Sequence, residues 1–385
     1  LSKRIAILGS TGSIGCNAIE VIEHLGPPYR AVALSANTSA EKMLEQARRV
    51  RPAAVAISSE RAHNGVRGEL QKLGCDVYVG DAGLVEMVRR DDIDMVLAAI
   101  VGAAGLPPVL AAVQAGKALA LANKESLVVA GSLLIPEAKR RRVPILPVDS
   151  EHSAVFQAML AGRGSEVRRV ILTASGGPFR EWSRDQIARA TPADALKHPT
   201  WSMGSKITID SATMFNKALE LIEACWLFDL PPEKVEIVIH PESIVHSMVE
   251  FVDGSVIAQL SPPDMKTPIQ YALTFPERAD GCGKRLDLTR PLSLHFSPPD
   301  FDRFPALRIA YDVARMGGTA GAVLNAANEV AVNAFTSGNI AFGDIVTVVE
   351  TTIARHRLQL QPSLDDLLEA DRAARTAASE LIRSR

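Results

Sequence analysis

The chain has 385 residues, of which 47% are hydrophobic, 22% charged and 5% aromatic, and its formal net charge is −2. That length exceeds one ordinary core at roughly 100–200 residues per domain, so two or three domains are expected, with a globular α/β composition rather than a disordered or fibrous one. The near-neutral balance offers no field to gather nucleic acid or an anionic membrane, and no apolar run approaches spanning length, so neither partner is expected.

The first strand starts at once, at residues 4–9, leaving no room for a signal peptide, and the protein is read as cytoplasmic. Four cysteines at 16, 75, 225 and 282 lack CxxC spacing, which argues against a zinc site or a disulfide framework. Further strands read at 29–36, 53–58, 75–80, 95–100, 117–122 and 143–148, separated by helix-length segments. Such a succession implies right-handed crossovers and a parallel sheet covered on both faces, a doubly wound, Rossmann-like domain over residues 1–150. The charged run Lys139-Arg140-Arg141-Arg142 reads as a solvated helix end.

Within this domain the turn Gly9-Ser10-Thr11-Gly12-Ser13-Ile14-Gly15 joins the first strand to a helix. Backbone amides and the helix dipole there suit a dinucleotide pyrophosphate, although the GxxGxxG spacing also fits a plain tight turn. The second strand ends in Asn37-Thr38-Ser39 with no carboxylate, so nothing repels a 2′-phosphate and three polar donors stand ready for one; NADP is favoured over NAD. Asn123-Lys124-Glu125 closes the sixth strand, on the same sheet edge. The seventh strand runs into Asp149-Ser150-Glu151, and extended backbone would turn both carboxylates to one side, where they call for a divalent cation or a raised pKa. A helix N-cap with a solvated acid is the alternative.

After Glu151 the pattern changes. A strand near 167–173 precedes Ser175-Gly176-Gly177-Pro178, which has the shape of a second phosphate-contacting loop. The polar stretch holding His198 and Trp201 resembles a closing lid. A helix at 212–228 buries Met214, Ala218, Leu221, Ile222 and Cys225 and turns Thr213, Asn216, Lys217 and Glu220 to the other face. Ser211 just ahead of it would cap it or hold a phosphate, with Asn216 and Lys217 donating; Glu220 would complete an oxygen-rich site with Asp149 and Glu151, suited to Mg²⁺ or Mn²⁺ rather than zinc. A solvated face with a Lys–Glu pair is the alternative. His152, His240 and His246 read as structural. Strands at 235–240, 243–251 and 255–260 follow, the last two joined at Asp253-Gly254. The expected domains are thus a central α+β catalytic and dimerisation unit at 151–280, a linker at 281–304 and a C-terminal helical bundle at 305–385.

Taken together, GSTGSIG at 9–15, ANKES at 122–126, PVDSEH at 147–152, TASGGPF at 173–179, KHPTWSMG at 197–204, IDSATMFNKALELIEA at 209–224, HPESIVHSMVEF at 240–251 and NAANEVAV at 325–332 closely resemble the 1-deoxy-D-xylulose 5-phosphate reductoisomerase family, in order along nearly the whole chain. The resemblance implies an NADPH-dependent oxidoreductase, using Mn²⁺ or Mg²⁺ with Co²⁺ as a further candidate. Its reaction converts 1-deoxy-D-xylulose 5-phosphate to 2-C-methyl-D-erythritol 4-phosphate, in the non-mevalonate supply of isoprenoid precursors. It further implies Asp149, Glu151 and Glu220 as metal ligands; Ser175, Ser211, Asn216 and Lys217 on the substrate phosphate; His198 and Trp201 in the closing loop; and Lys124 and Ser150 at the reacting end. Thr11, Gly12, Ser13, Ile14, Asn37, Thr38, Ser39, Asn123, Glu125 and Gly204 match cofactor positions, and a homodimer of V-shaped, three-domain subunits is expected. Many family members carry Lys or Arg where this chain has Asn37-Thr38-Ser39, so a weaker NADPH preference is expected here. The competing functions are a metal-dependent isomerase or aldolase without net redox, and a dinucleotide-sensing regulator.

Overall fold

The computed structural model describes residues 3–201 and 203–384. Its contacts divide the chain into two compact units: Leu1–Ser126, Leu134–Ser153 and Asp264–Lys284 form the first, and Leu127–Leu133, Ala154–Pro263 and Arg285–Arg385 form the second.

In the first unit strands and helices alternate. They are β1 (Lys3–Leu8), α1 (Ser13–Leu25), β2 (Tyr29–Ala36), α2 (Ala40–Val50), β3 (Ala54–Ile57), α3 (Glu60–Lys72), β4 (Asp76–Val79), α4 (Gly80–Met87), β5 (Met95–Ala98), α5 (Leu106–Gln114), β6 (Ala118–Leu121), α6 (Lys124–Arg141) and β7 (Ile145–Pro147), with α7 (Ser150–Met159) starting beyond. All seven expected strands are present, in the parallel order β4-β3-β2-β1-β5-β6-β7. Strands β1, β3 and β5 are buried almost throughout, which is why they read as continuous apolar runs. The order reverses between β1 and β5, so the glycine turn after β1 sits at the topological switch point, where open sheets take their ligands. The Lys139–Arg141 run forms the last turn of α6, with Arg142 as its left-handed cap.

The second unit carries β8 (Val167–Ala174), the short helices α8 (Arg184–Ala188) and α9 (Pro192–Ala195), then α10 (Ser205–Thr213), α11 (Phe215–Phe228), β9 (Val235–Ile239), β10 (Val245–Phe251) and β11 (Val256–Leu260). Its sheet runs β11-β10-β8-β9, antiparallel except for β8 with β9. Helix α12 (Lys266–Thr274), which periodicity did not reveal, returns to the first unit and packs on α1; Lys3 donates to the carbonyls of Leu273 and Phe275 at its end, and Lys266 pairs with Glu20. Helices α13 (Ala306–Met316), α14 (Ala320–Thr336), α15 (Asp344–Arg355) and α16 (Leu364–Arg383) complete the second unit around a core shared with α10, α11 and the sheet. The division at 150 and 280 drawn from the sequence follows chain order, whereas the compact units interleave three segments each.

Candidate active site

Two local readings of the site need correction. The backbone does not stay extended through residues 149–151: β7 ends at Pro147, α7 begins at Ser150, and the Ser153 N–H already donates to the Asp149 carbonyl. Asp149 and Glu151 therefore project from a helix start, where the Asp149 Oδ1 accepts weakly from the Glu151 N–H at 3.4 Å. The helix expected at 212–228 is two helices. Met214, in the left-handed region at φ 65°, ends α10 and starts α11. Thr213 Oγ1 takes the Phe215 N–H at 3.3 Å and stabilises the break. Ser211 accordingly lies in the last turn of α10 rather than ahead of a helix.

In the first unit, the Lys124 ammonium at the start of α6 lies 2.7 Å from Asp149, both side chains largely enclosed. Burial opposes ionisation of Asp149, but the Lys124 charge, with His152 beside it, holds the carboxyl well below its ordinary range. Ser150 donates to Glu151 at 2.6 Å. Asn123 is spent internally: its amide donates to the carbonyls of Ile100 and Gly102 and to Glu125, while its Oδ1 caps α6 at the Ser126 N–H. Asn123 and Glu125 thus shape the sheet edge beside the glycine turn. That turn is held by residues the sequence did not single out. Ser35 accepts the Gly9 N–H, and Gln46 exchanges two hydrogen bonds with Ser10. A Cβ on Gly15 would fall 2.4 Å from the Gly9 carbonyl oxygen, so α1 can start this close to the turn only with glycine there. Gly12 stands at the N-cap of α1 without a side-chain cap, which leaves the first turn to an anion. Thr11, Ser13 and Ile14 line that turn, and Asn37, Thr38 and Ser39 are exposed at the end of β2.

In the second unit, Gly177 packs so tightly that a Cβ would lie 2.5 Å from the Ser211 carbonyl oxygen, and its φ is +66°. This apposes the Ser175 loop and the end of α10. The Ser175 Oγ accepts from the Gly177 N–H at 3.2 Å and lies 3.1 Å from His198 Nε2. His198 Nδ1 accepts from the N–H groups of Thr200 and Trp201, which puts the ring proton on Nε2, donating to Ser175. Burial lowers the His198 pKa to about 4, so the ring is neutral at pH 7. Trp201 faces His246 with ring centroids 6.3 Å apart, and Gly204 caps α10.

Helix α11 is buried over most of its length, on the polar face as well, rather than half solvated: Lys217 and Glu220 are 3% and 1% exposed. Glu220 accepts from Lys217 through one oxygen and from Asn216 through the other. Buried charges persist only when paired in this way. Beneath them Asp210 joins Lys206 at 2.9 Å and Asn328 of α14 at 2.8 Å, a further buried link that sequence spacing could not reveal. His240 is structural: its Nδ1 faces the His295 carbonyl and its Nε2 accepts from Ile244 and Val245.

Residues 5–131 match the family model described as 1-deoxy-D-xylulose 5-phosphate reductoisomerase, and residues 145–228 and 260–377 match two models of its C-terminal domains. A reductoisomerase of that name from Chlorobaculum tepidum is 49% identical over 381 residues, covering 99% of this chain and 100% of the relative. The chain belongs to the 1-deoxy-D-xylulose 5-phosphate reductoisomerase family. The Rhodospirillum centenum reductoisomerase is 50% identical, covering 99% of this chain and 94% of that one. Among solved reductoisomerases, the Zymomonas mobilis enzyme in complex with NADPH superposes with a TM-score of 0.93 at 42% identity, covering 100% of both chains. A reductoisomerase in complex with NADPH, fosmidomycin and magnesium also reaches 0.93 at 42% identity, covering 99% of this chain and 98% of that one. The α/β fold with its seven-stranded parallel sheet and helical C-terminal region is that of the reductoisomerase family.

Proposed function

We propose that this reductoisomerase rearranges 1-deoxy-D-xylulose 5-phosphate and reduces the product to 2-C-methyl-D-erythritol 4-phosphate, with NADPH and a divalent cation, in the non-mevalonate route to isoprenoid precursors. The observation that carries the reading is the close apposition of the Ser175 loop and the end of α10 in the second unit, where a phosphate is proposed to bind. On the family likeness Ser175, Ser211, Asn216 and Lys217 are assigned to that phosphate: Gly177 packs against the Ser211 carbonyl, His198 is bonded to Ser175, and Asn216 and Lys217 open α11 just past the break at Met214.

The residues present fit both cofactors. The uncapped start of α1 at the sheet switch point suits a pyrophosphate, with Thr11 to Ile14 around it and Asn37 to Ser39, Asn123, Glu125 and Gly204 as further cofactor positions. Asp149, Glu151 and Glu220 are proposed as metal ligands on the family likeness, carboxylates being the oxygen donors that Mg²⁺ and Mn²⁺ prefer, with Co²⁺ a further candidate. When bound, NADPH supplies the hydride and the cation supplies Lewis acidity at the substrate oxygens. Lys124 and Lys217 keep their partner carboxylates paired with positive charge before any cation arrives. Lys124 and Ser150, at the start of α6 and of α7, are assigned to the reacting end of the substrate. The Ser175 hydroxyl accepts from Gly177 and from His198 Nε2, so its own proton is directed outward to a phosphate oxygen. Phosphate binding then supports ordering of the segment that carries His198 and Trp201, and exclusion of water from the reacting bond.

A homodimer is also proposed. Strand β11 is a sheet edge, and Val252, Val256, Ile257 and Leu260 are exposed on or beside it. No helix among the described residues is long and apolar enough to cross a membrane, and a cytoplasmic location is proposed.

Absorbance at 340 nm tests the reaction. NADPH is expected to be consumed in step with 1-deoxy-D-xylulose 5-phosphate, to stop on chelation by EDTA and to resume with added Mg²⁺. Product formed without NADPH oxidation would instead make the chain an isomerase or aldolase. Glu220→Gln is expected to lower kcat by about a hundredfold or more and to weaken Mn²⁺ binding with the circular dichroism spectrum unchanged; near-normal turnover would remove Glu220 from the metal set.

A further inference from the structure

The end of β2 lacks the cation that a 2′-phosphate calls for, yet one stands close by in space. Lys42, in the first turn of α2, is exposed and reaches back to donate to the Thr11 carbonyl of the glycine turn at 2.8 Å. The turn and the end of β2 are already joined, since the Ser10 N–H donates to the Ser35 carbonyl at 2.8 Å. The ammonium is therefore seated on the glycine turn, whose Ser10 is tied to the strand that ends in Asn37-Thr38-Ser39. A lysine in a first helical turn works against the helix dipole. Ser39, the N-cap of α2, provides no side-chain cap, so the same helix start is open to an acceptor from outside.

We infer that Lys42 provides the positive charge for the adenosine 2′-phosphate, taking over from the turn after β2 the selection of NADPH over NADH. This rests on the dinucleotide reading of the first unit. The ammonium has three donors; one is committed to Thr11, which fixes the side chain and leaves the others to grip phosphate oxygens beside the hydroxyls of Thr38 and Ser39. NADH offers only a ribose hydroxyl at this point and gains nothing from the charge.

Calorimetric titration separates this role from a purely structural tie between α2 and the turn. The probes are 2′,5′-ADP and AMP, which differ only in the 2′-phosphate, alongside NADPH and NADH. Wild-type protein is expected to prefer 2′,5′-ADP over AMP by at least about tenfold, the order of one charge-assisted hydrogen bond. Lys42→Met should remove most of that preference while leaving AMP and NADH affinities unchanged, and Lys42→Arg should retain it. A Met variant that keeps the preference, or weakens all four ligands equally, overturns the assignment while the dinucleotide reading stands. A wild-type chain that binds neither NADPH nor NADH overturns both.

Discussion

His198 accepts two main-chain N–H groups through Nδ1 and so must show its proton to Ser175 through Nε2. Protonation of Nδ1 would cost both main-chain bonds at once, in a half-buried setting that already lowers the pKa from 6.5 to about 4. The unfolded chain therefore takes up this proton first as the pH falls. The contribution to stability is fully present above 6.5, declines below it and is lost once the pH has dropped through about 4. Urea unfolding of wild type and His198→Asn between pH 7.5 and 4.5 checks this: the wild type should lose stability more steeply, and parallel curves would refute it. At pH 7 the neutral ring serves as a donor rather than a charge, so the clasp on Ser175 holds the Gly176-Gly177 loop without adding a cation there.

Strands in the first unit were legible because both sheet faces are covered, which makes β1, β3 and β5 uninterrupted apolar runs. Helix α12 escaped notice because its segment buries Pro268, Ile269, Gln270, Tyr271, Ala272, Leu273 and Thr274 together, so no amphipathic stripe remains to be read. The break at Met214 was hidden for another reason: neither glycine nor proline marks it, and a side-chain bond from Thr213 replaces the usual signal. The residues proposed for the phosphate and the metal could be named from type and family likeness alone, whereas the burial of Lys217 and Glu220 depends on what packs around α11 and is invisible along the chain. Gly15→Ala forces a Cβ against the Gly9 carbonyl and Ser10, so the turn must shift. NADPH affinity should fall by about tenfold or more and the melting temperature by several degrees, a loss on the order of 1–3 kcal/mol; fluorescence titration and calorimetry read both, and unchanged affinity would show that the turn tolerates side-chain bulk.

Strand β11 is the exposed sheet edge on which the proposed homodimer rests. Ile257→Lys places a charge on that edge among Val252, Val256 and Leu260. Light scattering behind size exclusion is expected to show a dimer for the wild type and a shift toward monomer for the variant, and a dimer unchanged in the variant would move the interface elsewhere.

The first unit also closes on itself late in the chain. Its opening strand is tied by Lys3 to the end of α12, more than 260 residues downstream. During synthesis, the seven strands emerge long before the helix that covers α1. At about 5–20 residues per second, the nascent sheet waits on the order of ten seconds or more for that cover. Over that interval the face of α1 that α12 will cover stays open on the ribosome, a window in which a chaperone has something to hold.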